Sequence, residues 1–296
     1  MADTWLQAAL DCPQAAVPAA EEIFEGLGAL VTWTQGADDE EILEPEPGAT
    51  PLWRAVRLTA LLPPDTDRQR IAAAFPGSAV RFETVADRDW DAEWRKTLKP
   101  LRFGRRLWVC PVGQDCPDPA GISLRLEPGL AFGTGTHPTT AMCLAWLDGQ
   151  ELRGARLLDY GCGSGVLAIA ALVLGARAAV AVDIDPQALI ATRDNASRNG
   201  CTDLLTSGLP ADVLPASRTE RFDVLVANIL SGPLVRLAPG LRRFAGPATG
   251  VALSGILADQ AAEVMAAFSP WVTLAVADQQ GGWVLLAGRV AGPVAP

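Results

Sequence analysis

Leu157-Leu158-Asp159-Tyr160-Gly161-Cys162-Gly163-Ser164-Gly165-Val166-Leu167 joins an apolar strand to a run of alternating glycines and then to a helix-forming segment. Glycine has no Cβ, so such a backbone can turn sharply and lie against a ligand. The free N–H groups of the following helix are then directed into the same space. A second apolar strand, Ala178 to Val182, is followed by Asp183 about one βαβ unit later, where a carboxylate can accept both hydroxyls of a ribose. Strand, glycine turn, helix and acid-tipped strand predict a doubly wound, mostly parallel α/β sheet. Its nucleoside should lie at the carboxyl ends of the strands.

The glycine spacing selects among nucleoside cofactors. A dinucleotide fingerprint places its third glycine three positions after the second. Here Gly165 follows Gly163 by two, and Val166 occupies the other slot. Asp159, just ahead of Gly161, suits a cationic, amino-acid-bearing cofactor better than a pyrophosphate. The expected ligand is S-adenosylmethionine rather than NAD, with Asp159, Gly161, Gly163, Gly165 and Asp183 in its site. A tight turn without a ligand would explain the glycines, but not the two carboxylates.

Two further loops carry chemistry. Glu127-Pro128-Gly129-Leu130-Ala131-Phe132-Gly133-Thr134-Gly135-Thr136-His137-Pro138-Thr139-Thr140 is glycine-rich and then turns helical, with Pro138 favouring a helix start and Thr136 or His137 able to cap it. Capping accounts for one threonine. It does not account for four threonines, two glycines and the chain's only histidine between Gly133 and Thr140. The loop is expected to act as a lid over cofactor and substrate, with Phe132 and Thr140 as cofactor contacts. His137 is a candidate proton relay, although a positioning or capping role fits it equally. The third loop, Asn228-Ile229-Leu230-Ser231-Gly232-Pro233-Leu234, directly follows the apolar strand Val224-Leu225-Val226-Ala227. An asparagine there can accept an N–H from an amine and hold the nitrogen toward an electrophilic methyl group. Taken alone, Asn228 also suits a turn; beside the other loops, the catalytic reading is preferred.

The chain has 296 residues, suited to about two domains. The first 85 residues hold 14 acidic and five basic side chains and therefore carry most of the net charge of −10. That acidity serves solubility, or it forms a docking face for a basic partner. It opposes direct grip on nucleic acid, whose phosphates it repels. The six cysteines form no CxxC pair and a single histidine leaves no Cys/His zinc arrangement, so reduced thiols and no metal are expected. No apolar run is long enough for a membrane span, and the N-terminus lacks the pattern of a secretory signal, so the expected compartment is the cytoplasm.

Along the first segment, alternating Leu6, Ala8 and Leu10 predict a strand, and Ala20, Ile23, Phe24 and Leu27 predict a helix before Gly28. A strand over 29–33, an acidic loop over 35–51 and a strand over 52–62 follow. A helix capped by Asp65 or Thr66 and a strand through Val80, Phe82 and Thr84 complete the order. That is a ferredoxin-like βαββαβ domain over residues 1–85. Trp90, Trp94 and Leu98 recur every four residues, predicting a connecting helix in the linker 86–100. The second domain, residues 101–296, should contain strands at 107–110, 122–126, 157–158, 178–182, 223–226 and 250–253. Helices are expected at 166–174, 186–199 and 233–241, then a terminal hairpin of 272–276 with 283–287, and a loose tail from Val290.

The segments EPGLAFGTGTHPTT (Glu127 to Thr140), LLDYGCGSGVLAIAAL (Leu157 to Leu172), VDIDPQAL (Val182 to Leu189) and NILSGPL (Asn228 to Leu234) resemble those of the PrmA family of ribosomal protein methyltransferases. The likeness runs from Asp87 to about Arg289. It implies a seven-stranded, Rossmann-like S-adenosylmethionine-dependent methyltransferase domain with a smaller ferredoxin-like α+β domain before it. It also implies cofactor contacts at Thr140, Gly161, Asp183 and Asn228, and a pocket shaped by Gly163 and Gly165. The family modifies the eleventh protein of the large ribosomal subunit, a basic protein that the first domain would recognise. The expected reaction is methyl transfer to lysine side chains or an N-terminal α-amine. The alternative is N-methylation of another protein or a small amine. A monomer is expected.

Overall fold

In a computed structural model, the structure describes residues 4–37, 53–86, 99–126, 137–214 and 221–292. The chain divides into two compact units, Met1–Glu93 and Trp94–Pro296.

The first unit contains β1 (Thr4–Pro13), α1 (Val17–Gly26), β2 (Val31–Gly36), β3 (Ala55–Leu62), α2 (Arg68–Ala74) and β4 (Arg81–Ala86). Its antiparallel sheet has the order β2-β3-β1-β4, the ferredoxin-like arrangement. Period-two alternation sends Leu6, Ala8 and Leu10 with Leu58, Ala60 and Leu62 to one face, where Phe24 of α1 and Ile71 of α2 cover them. Ile23, expected in this core, is exposed, because the helix turns its buried stripe through Val17, Ala20 and Phe24. The cap of α2 is Asp67, which accepts from Gln69 N at 2.8 Å, in place of the expected Asp65 or Thr66. On the opposite sheet face, Asp11 accepts from Arg57 Nε and Arg81 Nη2, each at 2.7 Å. The expected acidic loop lies largely, and the connecting helix with Trp90, Trp94 and Leu98 wholly, outside the described residues.

The second unit opens with β5 (Leu101–Phe103), β6 (Leu107–Pro111) and β7 (Ile122–Leu126), which form a small sheet. There follow α3 (Pro138–Asp148), β8 (Arg156–Tyr160), α4 (Val166–Val173), β9 (Ala178–Val182), α5 (Pro186–Arg198), β10 (Leu205–Gly208) and the short α6 (Pro210–Val213). The chain continues through β11 (Phe222–Asn228), α7 (Ser231–Leu241), β12 (Ala245–Leu257), α8 (Ala261–Phe268), β13 (Thr273–Gln280) and β14 (Trp283–Arg289). The main sheet has the order β10-β9-β8-β11-β12-β14-β13. Its first five strands are parallel, and β14 runs antiparallel to both neighbours.

Both faces of the central strands β8, β9, β11 and β12 are covered, which is why these strands are largely apolar. Along β8, Leu157 packs into the core shared with α3 and α4, through Met142, Leu147 and Ile169. Leu158 packs into the opposite core, with Leu234 and Leu241 of α7 and Val264 and Phe268 of α8. From β8 the chain winds outward through β9 and β10, then returns to β11 on the other flank of β8. The strand order therefore reverses between β8 and β11, and a ligand-sized crevice opens at such a switch point. Val290, expected to begin a loose tail, still exchanges backbone hydrogen bonds with Ala248 and Thr249. Among the described residues, no helix is long and apolar enough to cross a membrane.

Candidate active site

At the end of β8 the glycine loop adopts backbone conformations that side chains resist: φ is +80° at Gly161, +53° at Gly163 and +77° at Gly165. Space adds a second constraint. A Cβ on Gly161 would lie 2.2 Å from Ile229 Cγ2, and one on Gly165 would lie 2.9 Å from Thr192. The loop is tied to β9, because Gly161 N and Cys162 N both donate to Val182 O. Gly165 is the N-cap of α4 and brings no capping side chain. Asp159 substitutes in part from the strand, its Oδ2 accepting Ala168 N at 3.1 Å.

Asp183 closes the other side of the loop. Its Oδ2 accepts Gly163 N at 2.9 Å and its Oδ1 accepts Asp185 N at 3.0 Å. A carboxylate has about four lone-pair directions, so acceptor capacity remains for two hydroxyls. Asp185 caps α5 through Gln187 N at 2.8 Å. Two residues that sequence reasoning missed brace the same loop: Thr192 Oγ1 donates to Gly163 O at 2.9 Å, and Asn195 Nδ2 donates to Ser164 O at 3.0 Å. Their trace was present in the sequence. Two polar residues three apart on the buried stripe of α5, beside Leu189 and Ala196, need partners somewhere.

The threonine segment enters as α3. His137 is its N-cap; the ring Nδ1 lies 2.7 Å from Thr139 Oγ1, and the ring meets Trp283 of β14 edge-on with centroids 5.3 Å apart. Burial holds the imidazole below its ordinary value, so it favours the neutral form. Thr140, fully buried in the first turn, accepts from Asn228 Nδ2 at 3.1 Å. With the amide nitrogen engaged there, the Asn228 carbonyl oxygen is the group left to meet an incoming N–H. Phe132 and the rest of the expected lid, residues 127–136, lie outside the described residues.

The electrostatics are acidic. Asp159 is fully buried, and its pKa is pushed up to about 7, chiefly by burial, with the Asp183 carboxylate adding to the shift and the Ala168 N–H opposing it. Its Oδ1 is buried without a hydrogen-bond partner among the described residues. The Cys143 and Cys162 thiols are held well above the usual range, first by burial and then by Asp159, so neither is an activated nucleophile. Among the described residues, no cluster of three His, Cys, Asp or Glu side chains could hold a metal ion. A ligand without a hydrogen-bond donor would leave Asp159 Oδ1 unsatisfied. An adenosyl cofactor with an amino-acid end fits this set, because its ammonium is a donor of the kind Oδ1 lacks and its ribose hydroxyls are donors of the kind Asp183 can still accept.

The sequence matches the family described as Ribosomal protein L11 methyltransferase (PrmA) over residues 4–291. It is 48% identical over 295 residues to the ribosomal protein L11 methyltransferase of Hahella chejuensis, covering 97% of this chain and 98% of that one. To the enzyme of the same name from Azotobacter vinelandii it is 50% identical over 291 residues, covering 96% and 98%. The crystal structure of a ribosomal protein L11 methylase from Lactobacillus delbrueckii subsp. bulgaricus superposes with a TM-score of 0.58 at 31% identity, covering 66% of this chain and 100% of that one. With the switch point, the glycine loop and the paired Thr140 and Asn228 on one rim of the sheet, this chain belongs to the ribosomal protein L11 methyltransferase family.

Proposed function

We propose that this chain transfers methyl groups from S-adenosylmethionine to amino nitrogens of ribosomal protein L11, on lysine side chains or the N-terminal α-amine. Membership of the family makes it an S-adenosylmethionine-dependent methyltransferase. The observation that supports its site is the Asn228–Thr140 hydrogen bond, which brings the third loop to the first turn of α3 at the carboxyl edge of the sheet. When bound, the cofactor supplies an electrophilic methyl group on a sulfonium. Asp183 holds its ribose, Gly161, Gly163 and Gly165 give the backbone room to approach it, and Asp159, Thr140, Asn228 and Phe132 complete the contacts. Asn228 orients the substrate nitrogen through its carbonyl oxygen, and Thr140 fixes Asn228. His137 positions the start of α3 through Thr139.

A substrate lysine, with an ordinary pKa of about 10.4, must reach the site uncharged before its nitrogen can attack. Burial of the rim favours the neutral amine. Holding that nitrogen in line is worth several kcal/mol, so positioning comes before proton removal among the tasks of these residues. Residues 1–85 act as the recognition domain, residues 86–100 as the connector and residues 101–296 as the catalytic domain. Glu22 and Glu25 lie exposed on α1, a face suited to a basic ribosomal protein and unsuited to bare phosphate. The protein acts as a cytoplasmic monomer without direct grip on nucleic acid.

Incubation of the purified protein with S-adenosylmethionine and free L11, followed by intact-mass analysis, should add whole methyl increments to L11. Peptide mapping should place them on amino groups. An unmodified L11 alongside methylation of another protein or a small amine would replace this reading with the alternative substrate class.

A further inference from the structure

Asp159 is an unusual acid for a cation site, because it lies in the interior without a counter-ion among the described residues. Its Oδ2 is held by Ala168 N–H, its Oδ1 has no partner among those residues, and its relative exposure is 0%. The ionisable groups around it among the described residues are Asp183 beyond β9, Cys162 in the glycine loop and Cys143 on α3. The helix α4 faces it with a backbone N–H. None of these neighbours carries positive charge, and one is a carboxylate. An ionised Asp159 before a ligand binds would be a buried charge with a single donor beside a like charge, an arrangement that proteins avoid by taking up a proton.

Resting on the reading of this pocket as an S-adenosylmethionine site, we propose that cofactor capture is proton-linked. The Asp159 carboxyl is protonated before the ligand binds, and its O–H bond breaks as the ammonium of the zwitterionic amino-acid end arrives. The proton passes to solvent, and the carboxylate left behind pairs with that ammonium. Burial, with the neighbouring Asp183 carboxylate, sets the crossover near neutral pH, at about 7. Below it the ligand must displace a proton; above it the carboxylate is already formed. Affinity for an ammonium-bearing ligand therefore falls as the solution is acidified, while a ligand lacking that group is indifferent. His137, held below its ordinary value by burial, titrates at lower pH and lies outside this group of neighbours.

The experiment is calorimetric titration of the full-length protein with S-adenosylhomocysteine, in paired buffers of different ionisation enthalpy, at about pH 6 and about pH 8.5. We expect close to one proton released per ligand at the lower pH and almost none at the higher, with affinity about tenfold weaker at the lower. The probe 5′-methylthioadenosine, which keeps the adenosine and lacks the amino acid, should release no proton at either pH. Asp159→Asn should bind S-adenosylhomocysteine without proton release. If that variant fails to fold, the comparison of the two ligands on the native protein still decides the matter. Binding of S-adenosylhomocysteine without proton release at about pH 6, or equal release by both ligands, would overturn the proposal. Failure of S-adenosylhomocysteine to bind at any pH would overturn the cofactor reading itself, and this inference with it.

Discussion

Asn228 donates its side-chain N–H to the hydroxyl of Thr140 at 3.1 Å, locking the end of β11 to the first turn of α3, 88 positions earlier in the chain. The bond engages the amide nitrogen with the protein, and on the proposed reading the carbonyl oxygen orients the substrate. Asn228→Ala should therefore bind cofactor at near-normal affinity while turnover falls about a hundredfold, the scale of a misplaced reacting pair. Label transfer to L11 and calorimetry measure the two quantities separately. Full activity in the variant would remove the orienting role.

Thr140→Val keeps the shape of a buried residue and removes the acceptor. It should cost about 1 kcal/mol of stability, the lower end for a donor left unpaired, because Asn228 is half-buried, and should lower turnover with it. Thr140→Ser restores the hydroxyl and should recover most of the turnover. Thermal melts and single-turnover rates check both; a Ser variant no better than Val would show that the methyl group matters more than the hydrogen bond.

Asp183 has two tasks, because it accepts Gly163 N and Asp185 N before any ligand arrives. Asp183→Ala should weaken cofactor binding at least tenfold, the loss expected from about 1.4 kcal/mol or more of hydrogen bonding to a charged acceptor. An unchanged dissociation constant by calorimetry would remove the ribose contact.

Gly161→Ala tests the fit of the loop against Ile229, whose Cγ2 would lie 2.2 Å from the new Cβ. The variant should lose cofactor affinity and melt at lower temperature. Pairing it with Ile229→Ala should relieve only part of the defect, since φ of +80° still penalises a side chain. Complete recovery in the double variant would assign the whole cost to the collision.

The two units should respond to acid with opposite signs. Asp11 is held well below the usual carboxylate range, first by hydrogen bonds from Arg57 and then from Arg81, so its contribution is present at neutral pH and lost as pH falls below about 4. Being partly exposed, it is worth about 1 kcal/mol or less. Asp159 is shifted upward, so its contribution to the empty protein is full below about pH 4 and is lost as pH climbs to about 7. Denaturant midpoints across this range should show Asp159→Asn flattening the upper slope and Asp11→Asn the lower one. Unaltered slopes would contradict both assignments.

The parts of the fold most legible in the sequence were those where one residue type is forced by geometry. Gly161, Gly163 and Gly165 all have positive φ, which side chains resist, and Gly161 and Gly165 also lack space for a Cβ, so the chain announces the turn. Asp185 before Pro186 likewise marks a helix start. What stayed hidden was short or relational. The strands β5 and β10 have three and four residues, too few to display a period, and their existence depends on a neighbour. The helix α8 was missed because its eight residues carry only three buried side chains, Ala261, Val264 and Phe268, too few repeats to establish a helical period. The contact of His137 with Trp283 spans most of the second unit in sequence, and no local pattern encodes it. Ile23 was misplaced because four apolar residues at helical spacing define a stripe wider than the one α1 buries.

β14, the last strand in chain order among the described residues, sits between β12 and β13 rather than at a margin. During synthesis, β12 and β13 must therefore wait with bare flanks until Trp283–Arg289 leaves the ribosome. A message truncated just upstream would leave β12 and β13 with open hydrogen-bonding edges, a template for aggregation.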